Sequence, residues 1–157
     1  MKVKFKKLHE DAVLPKKANP GDAGMDIVCV SDGVAINSGE DKNQWYYIEY
    51  QTGLAVEIPE NHVGLLFPRS SISKSALLLS NSVGIIDSSF RGPVCLRFKI
   101  DANIANQAVG EWQPAIYKKG DRIGQLMILP YPTIEPEFAD ELSETERGSG
   151  GFGSSGK

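Results

Sequence analysis

The chain has 157 residues, which gives room for one domain with its own core and not for two. Apolar residues make up 41% and charged residues 24%, the balance of a soluble globular protein. With 20 acidic against 17 basic residues the net charge is -3, so bulk charge offers no footprint for nucleic acid. Two cysteines, Cys29 and Cys95, are too few for a disulfide scaffold and fit a reducing compartment. No apolar run is long enough for a membrane helix, and the opening MKVKFKKLHE lacks the apolar centre of a signal peptide.

Taken in chain order, the first hundred and thirty residues or so read as short strands and turns. Val3 and Phe5 alternate with lysines, as in a half-buried strand. Asn19-Pro20-Gly21-Asp22 is turn chemistry, followed by the apolar run Met25 to Val30. Ser31-Asp32-Gly33 and Asn37-Ser38-Gly39 are further turn clusters. Trp45 to Tyr50 is aromatic and β-branched, as strands prefer. Leu54, Val56 and Ile58 alternate up to Pro59, and Val63 to Phe67 runs up to Pro68. Ser71 to Ser80, with Ile72 and Ala76 to Leu79, predicts one short helix capped by Ser70 or Ser71. Val94, Leu96 and Phe98 alternate again, and Ile123 to Leu129 is apolar apart from Gly124 and Gln125. Many short strands with closely spaced turns predict an all-β sandwich or barrel. The end differs in kind. Asp140 to Glu146 is acidic and polar, and RGSGGFGSSGK is almost all Gly and Ser, the composition of a flexible tail.

Five segments carry polar groups suited to chemistry. PGDAGMDI (20–27) sets two aspartates beside glycines and a strand. PRSSIS (68–73) sets Arg69 and two serines at a predicted helix start, where backbone N–H groups and a guanidinium suit phosphate. NSVGIIDSSFRG (81–92) holds Asp87 between an apolar run and a serine turn. On the residues alone Asp87 caps that turn and Phe90 is core. In GDRIGQLMIL (120–129) Gln125 interrupts an apolar strand and needs a partner if buried. The tail adds one arginine and one phenylalanine. His9, His62 and the cysteines stand in no metal-ligand spacing, and no phosphate-loop motif of the Walker type is present.

In this order and spacing the five segments resemble the five motifs of the trimeric deoxyuridine triphosphatases (dUTPases), across nearly the whole chain. The resemblance implies a jelly-roll-like β-barrel with one short helix over residues 1–139, and a C-terminal arm over 140–157 that closes on the active site. It implies a homotrimer with arm exchange between subunits, cytoplasmic or otherwise intracellular, in the host cell if the source is viral. It implies hydrolysis of dUTP to dUMP and pyrophosphate with Mg²⁺, which keeps uracil out of DNA and supplies dUMP for dTMP synthesis. Asp87 matches the aspartate that deprotonates the attacking water at the α-phosphorus. Arg69, Ser70 and Ser71 match the phosphate grip, with Ser70 at the bond being broken, and Gln125 matches the glutamine near the α-phosphate and the water. Asn81, the backbone of Gly84, Ile85, Ile86 and Asp87, and Cys95 match the uracil pocket. Phe90 stands where the family usually has tyrosine over the deoxyribose. Arg147 matches the γ-phosphate arginine, Phe152 the ring over uracil, and Gly153, Ser154 and Ser155 the wrap around the terminal phosphates. The metal is expected on the triphosphate and water rather than in a protein cage, with Asp26 nearby.

Two rival readings are weighed. dCTP deaminases share the fold but need a glutamate on the strand after the third motif, where Arg97 stands here, and generally lack the glycine-rich fifth motif. Some dUTPase-like proteins act as nucleotide-switched binders of other proteins; the intact Asp87 and arm favour retained catalysis. The loops at 34–50 and 101–117 lie outside the motifs.

Overall fold

The computed structural model describes residues 1–37, 46–100 and 116–151. Ten strands are found among them: β1 (Lys4–Lys7), β2 (Met25–Val28), β3 (Val34–Asn37), β4 (Tyr46–Gln51), β5 (Leu54–Glu57), β6 (His62–Phe67), β7 (Leu77–Leu79), β8 (Gly84–Ile86), β9 (Cys95–Ile100) and β10 (Arg122–Pro130). They form two four-stranded sheets, β2-β10-β6-β8 and β3-β4-β9-β7, and a small β1-β5 pair. Every pairing is antiparallel. The all-β architecture predicted from the spacing of strands and turns is therefore present.

The alternation of each strand decides what is buried. Ile27, Leu66, Ile86, Ile123 and Leu126 from the first large sheet meet Ile48, Tyr50, Leu77, Leu96 and Phe98 from the second in one cluster. Two inner faces closing on each other this way make a jelly-roll-like core. Tyr50, Phe98 and Tyr117 form an aromatic triangle with ring centroids 5.6–5.8 Å apart. Edge-to-face and tilted packing of this kind suits the ring quadrupoles.

The predicted helix over Ser71 to Ser80 is corrected. The helical part is a single 3-10 turn, Ser70–Lys74, and its N-cap residue is Arg69, with no side-chain cap from Ser70 or Ser71. Ser73 and Ser75 donate their hydroxyls to the carbonyls of Ser70 and Ile72, local bonds that compete with helix extension. Leu77 and Leu79 are then buried and Leu78 exposed, a period of two, in a ladder with β9. The leucines gain more from the sheet than a short helix would bury. Val34–Asn37, read from the sequence as lying between turn clusters, is also a strand, paired to β4. Trp45 of the predicted aromatic strand lies outside the described residues.

Gly124 marks an irregularity that aims the site. The β2–β10 register shifts between Arg122 and Gly124. A Cβ at Gly124 would sit 2.5 Å from a Leu96 methyl and 2.9 Å from the Phe67 carbonyl oxygen, so only glycine fits without movement of backbone.

Candidate active site

The site residues fall into two groups, one on the outer face of the sheet β2-β10-β6-β8 and one where β6 and β8 meet β7 and β9 of the other sheet. The first is built around Asp26 on β2. Asp26 is cross-strand partner to Gln125 and lies on the outer face, yet it is only 7% exposed. Its Oδ1 accepts from Arg69 Nε at 3.1 Å and Gln125 Nε2 at 3.2 Å, and its Oδ2 accepts from Arg122 Nη1 at 2.9 Å. One buried carboxylate thus fixes two guanidinium groups and a carboxamide. Charge-assisted bonds of this kind are the strong ones, and they lock rotamers. Gly24 permits the arrangement, since a Cβ there would press on the Gln125 side chain at 3.2 Å. Ser70 and Ser71 lie exposed beside it, with Ser71 Oγ 3.5 Å from Arg69 Nη1. A cavity of about 380 Å³ opens here, lined by Arg69, Ser71, Lys74, Tyr117, Asp121 and Arg122 among others. Three cations and serine hydroxyls around one hollow suit a polyphosphate.

Arg122 was not singled out by the motif reading. Its signal was a cation opening a strand three residues before Gln125, in the turn-and-strand segment GDRIGQLMIL. Asp26, placed in the sequence reading near the metal and phosphates, takes a defined role as the anchor of this corner.

The second group surrounds a cleft of about 380 Å³ lined by Leu66, Leu79, Asn81, Gly84, Cys95 and Arg97 among others. Asn81, Gly84 and Cys95, matched to the uracil pocket, therefore share one hollow. Burial pushes the Cys95 thiol up, and Glu49 acts in the same direction, so the thiol is an uncharged wall near neutral pH. Asp87 follows β8 directly. Its carbonyl closes the turn by accepting from Phe90 N at 3.1 Å, while its side chain is exposed. The expectation that Phe90 is core is corrected: the residue is 43% exposed. Its ring lies over Gly92, where a Cβ would stand 2.7 Å from Phe90 Cζ. That packing offers the ring's remaining surface outward.

The two groups are not brought together within one chain. Gln125 pairs with Phe67 on β6, and Ile86 with Gly64, so Asp87 falls level with Val63. Four residues along the strands and two strands across place Asp87 and Gln125 about 16 Å apart at Cα. Between them the outer face is apolar. Met127, Leu65 and Ile85 form one cross-strand row, and Ile85 is 68% exposed. Arg147 is in neither group; its Nε donates to Gly150 O at 2.9 Å in a turn of its own tail. Phe152, Gly153, Ser154 and Ser155 lie outside the described residues.

An all-β domain with a cationic corner, a base-sized cleft and an exposed carboxylate at the end of β8 suits a nucleotide-handling protein. The comparisons with known proteins specify which kind. The dUTPase family model matches residues 10–156. The chain is 39% identical to a deoxyuridine 5'-triphosphate nucleotidohydrolase of Hydrogenobaculum sp. (strain Y04AAS1), over 99% of both. It is 38% identical to the one from Escherichia phage T5, over 98% of both. Among solved structures, a Staphylococcus bacteriophage 80alpha dUTPase variant with dUpNHpp matches at a TM-score of 0.73 and 31% identity, over 99% of both chains. A dUTPase variant from phage phi11 of S. aureus, described for its coordination of a structural Mg(II) ion, matches at 0.67 and 27%, over 90% of this chain and 98% of that one. The chain belongs to the dUTPase family.

Proposed function

We propose that the chain hydrolyses dUTP to dUMP and pyrophosphate by attack of water on the α-phosphorus, in a site completed between copies of the chain. The observation that carries this reading is the presence of two pre-built half-sites in one chain, a cationic corner and a base-sized cleft. The Asp26 corner presents Arg69, Arg122, Gln125, Ser70 and Ser71, and the strand β8 that borders the base cleft through Gly84 leads directly to Asp87, an exposed carboxylate with no side-chain partner among the described residues. The ligand dUpNHpp of the 80alpha relative carries nitrogen between its first and second phosphorus, which supports the α–β bond as the one broken.

The roles follow from the groups available. Asp87 orients a water and takes its proton as general base, within the hydrogen-bond reach such a base needs. Arg69, Arg122 and Ser71 hold phosphate oxygens, and their positions are set before substrate arrives because Asp26 already fixes the guanidiniums. Ser70 lies at the scissile bond, and Gln125 reaches the α-phosphate and the water. Phe90 packs on the deoxyribose and leaves no room for a 2′-hydroxyl. The backbone of Gly84 to Asp87 reads the base edge with donors and acceptors that cannot rotate. Arg147, Phe152 and Gly153 to Ser155 of an arm from another copy cover the γ-phosphate and the base, excluding water.

The residues fit a Mg²⁺ that arrives with the triphosphate. Both Asp26 oxygens are committed to Arg69, Arg122 and Gln125, and no group of three His, Cys, Asp or Glu able to hold a metal occurs among the described residues. Phosphate oxygens and water would be its ligands, and Mg²⁺ would supply neutralisation of the triphosphate charge.

The test is pyrophosphate release with Mg²⁺ from dUTP, dCTP, UTP and dTTP. Release from dUTP alone is expected. Tight dUTP binding without release would overturn the hydrolytic reading in favour of a nucleotide-switched binding protein.

A further inference from the structure

The segment between Ile86, at the end of β8, and Val94 carries both Asp87 and Phe90, yet it belongs to no sheet. Among the described residues its own backbone supplies one hydrogen bond, Phe90 N to Asp87 O at 3.1 Å. The core takes hold again at Val94, whose N–H donates to Leu54 O at 2.8 Å and whose carbonyl accepts from Thr52 Oγ1 at 2.7 Å. Arg91 fills the gap. Its Nη1 donates to Ser88 O at 2.6 Å and to Phe90 O at 2.7 Å, so the side chain curls back over the turn. These are charge-assisted bonds to two carbonyls that no ladder takes up. Arg91 also lines a hollow of about 520 Å³ with Phe5, Val56 and Glu57 of the β1–β5 pair. Lys4 above all, and Arg91 with it, hold the Glu57 carboxyl below the usual carboxylate range, so the guanidinium lies in the field of that acid. Gly92 adds a second constraint, because the Phe90 ring occupies the space a Cβ would need. An arginine kept for solubility alone extends into water. This one binds the backbone beside a carboxylate that has no side-chain partner among the described residues.

We infer that Arg91 is a positioning residue for the reaction, which fixes the turn so that the Asp87 carboxylate meets the attacking water from one direction. This rests on the reading of Asp87 as the general base. Such a base works within about 2.6–3.2 Å of the atom whose proton it takes. A displacement of about 1 Å can cost two orders of magnitude in rate. Ordering the turn in advance removes that entropy cost from the chemical step. Arg91 touches neither substrate nor water in this role and acts through Asp87.

The test measures kcat and KM for dUTP, direct binding of dUMP, and thermal midpoint in Arg91→Met and Arg91→Lys, each made in the parent protein and in Asp87→Asn. In the parent, Arg91→Met is expected to lower kcat about ten- to a hundredfold, with KM, dUMP binding and thermal midpoint close to the parent values. Arg91→Lys, whose ammonium can donate to the same carbonyls, is expected to keep more of the rate, and it reads the same quantity if the methionine variant does not fold. In Asp87→Asn the methionine change is expected to lower the residual turnover by less than about twofold, because the group it positions is already gone. The same fractional loss in both backgrounds would overturn the inference, as would an unchanged kcat in the folded variants. A purely structural role would lower the thermal midpoint and leave kcat of the folded fraction intact, and a direct contact with phosphate would raise KM in both backgrounds; either result would overturn it. A parent protein that releases no pyrophosphate, or an Asp87→Asn variant as active as the parent, would instead overturn the reading of Asp87 on which the inference rests.

Discussion

A buried carboxylate that binds three donors is costly to lose. Asp26→Asn keeps the shape but removes the charge that holds Arg69 and Arg122. A fall in kcat/KM of about ten- to a hundredfold is expected, with about 1–3 kcal/mol of stability lost, read by steady-state kinetics and denaturant unfolding. Asp87→Asn should act differently, because the Asp87 side chain bonds to none of the described residues. Turnover should fall by about two to four orders of magnitude with nucleotide binding close to intact, as calorimetry of dUTP binding would show. Equal loss of binding would make Asp87 structural. Tyr50 supplies a pH test of the core. Burial pushes its phenol up to about 12. The unfolded phenol ionises near 10, so the stability tied to this group is whole below about pH 10 and is lost as pH rises toward 12. Tyr50→Phe should flatten that alkaline fall in thermal midpoint. At the residue scale the sequence points to the segments, and the structure sets Arg69 and Gln125 on Asp26 and lines one cleft with Asn81 and Cys95; their roles await the tests above. Arg122 was missed because a lone arginine at a strand start reads as solvated until its partner, 96 residues away, is seen. Of the two readings of Phe90, core or sugar-facing, its 43% exposure removes the first, with its ring packed on Gly92.

At the scale of elements, the alternation of β5 and the apolar runs of β6 and β10, each bounded by proline, were legible to within a residue or two. The segment after Arg69 was not. Its three consecutive leucines satisfy either a helix or a strand, and the decision comes from β9, which offers a ladder to whatever lies beside it. Gly124 is a case where the sequence shows only an unusual residue and the packing shows why. Gly124→Ala should cost about 1–3 kcal/mol, because the methyl meets the Phe67 carbonyl oxygen as well as Leu96. Every side chain from Tyr131 to Leu142 is exposed, Phe138 and Leu142 fully or nearly so, so this stretch adds nothing to the core. Removing residues 147–157 is therefore expected to cut turnover strongly while leaving the thermal midpoint within a few degrees of the full chain. A melted fold after that truncation would contradict its assignment as a substrate-covering arm.

The whole molecule poses the question that one chain cannot answer alone. The proposed phosphate corner, taken at Gln125, and the proposed general base, Asp87, stand about 16 Å apart at Cα on one sheet face, too far to serve one α-phosphate. The ground between them is an apolar row that water covers poorly, which suits a second copy. No pattern along a sequence says which copy supplies which group, because that depends on a symmetry operator rather than on residue spacing. The direct measurement mixes two inactive variants, Asp87→Asn and Arg69→Ala, unfolds them together and refolds them. If each site takes Asp87 from one copy and Arg69 from another, random mixing restores both groups in about one quarter of the sites. Recovery of dUTP hydrolysis to about that share of the parent rate is the predicted result. No recovery in a correctly refolded mixture would show that each chain works with its own Asp87 and Arg69, and would contradict the shared site.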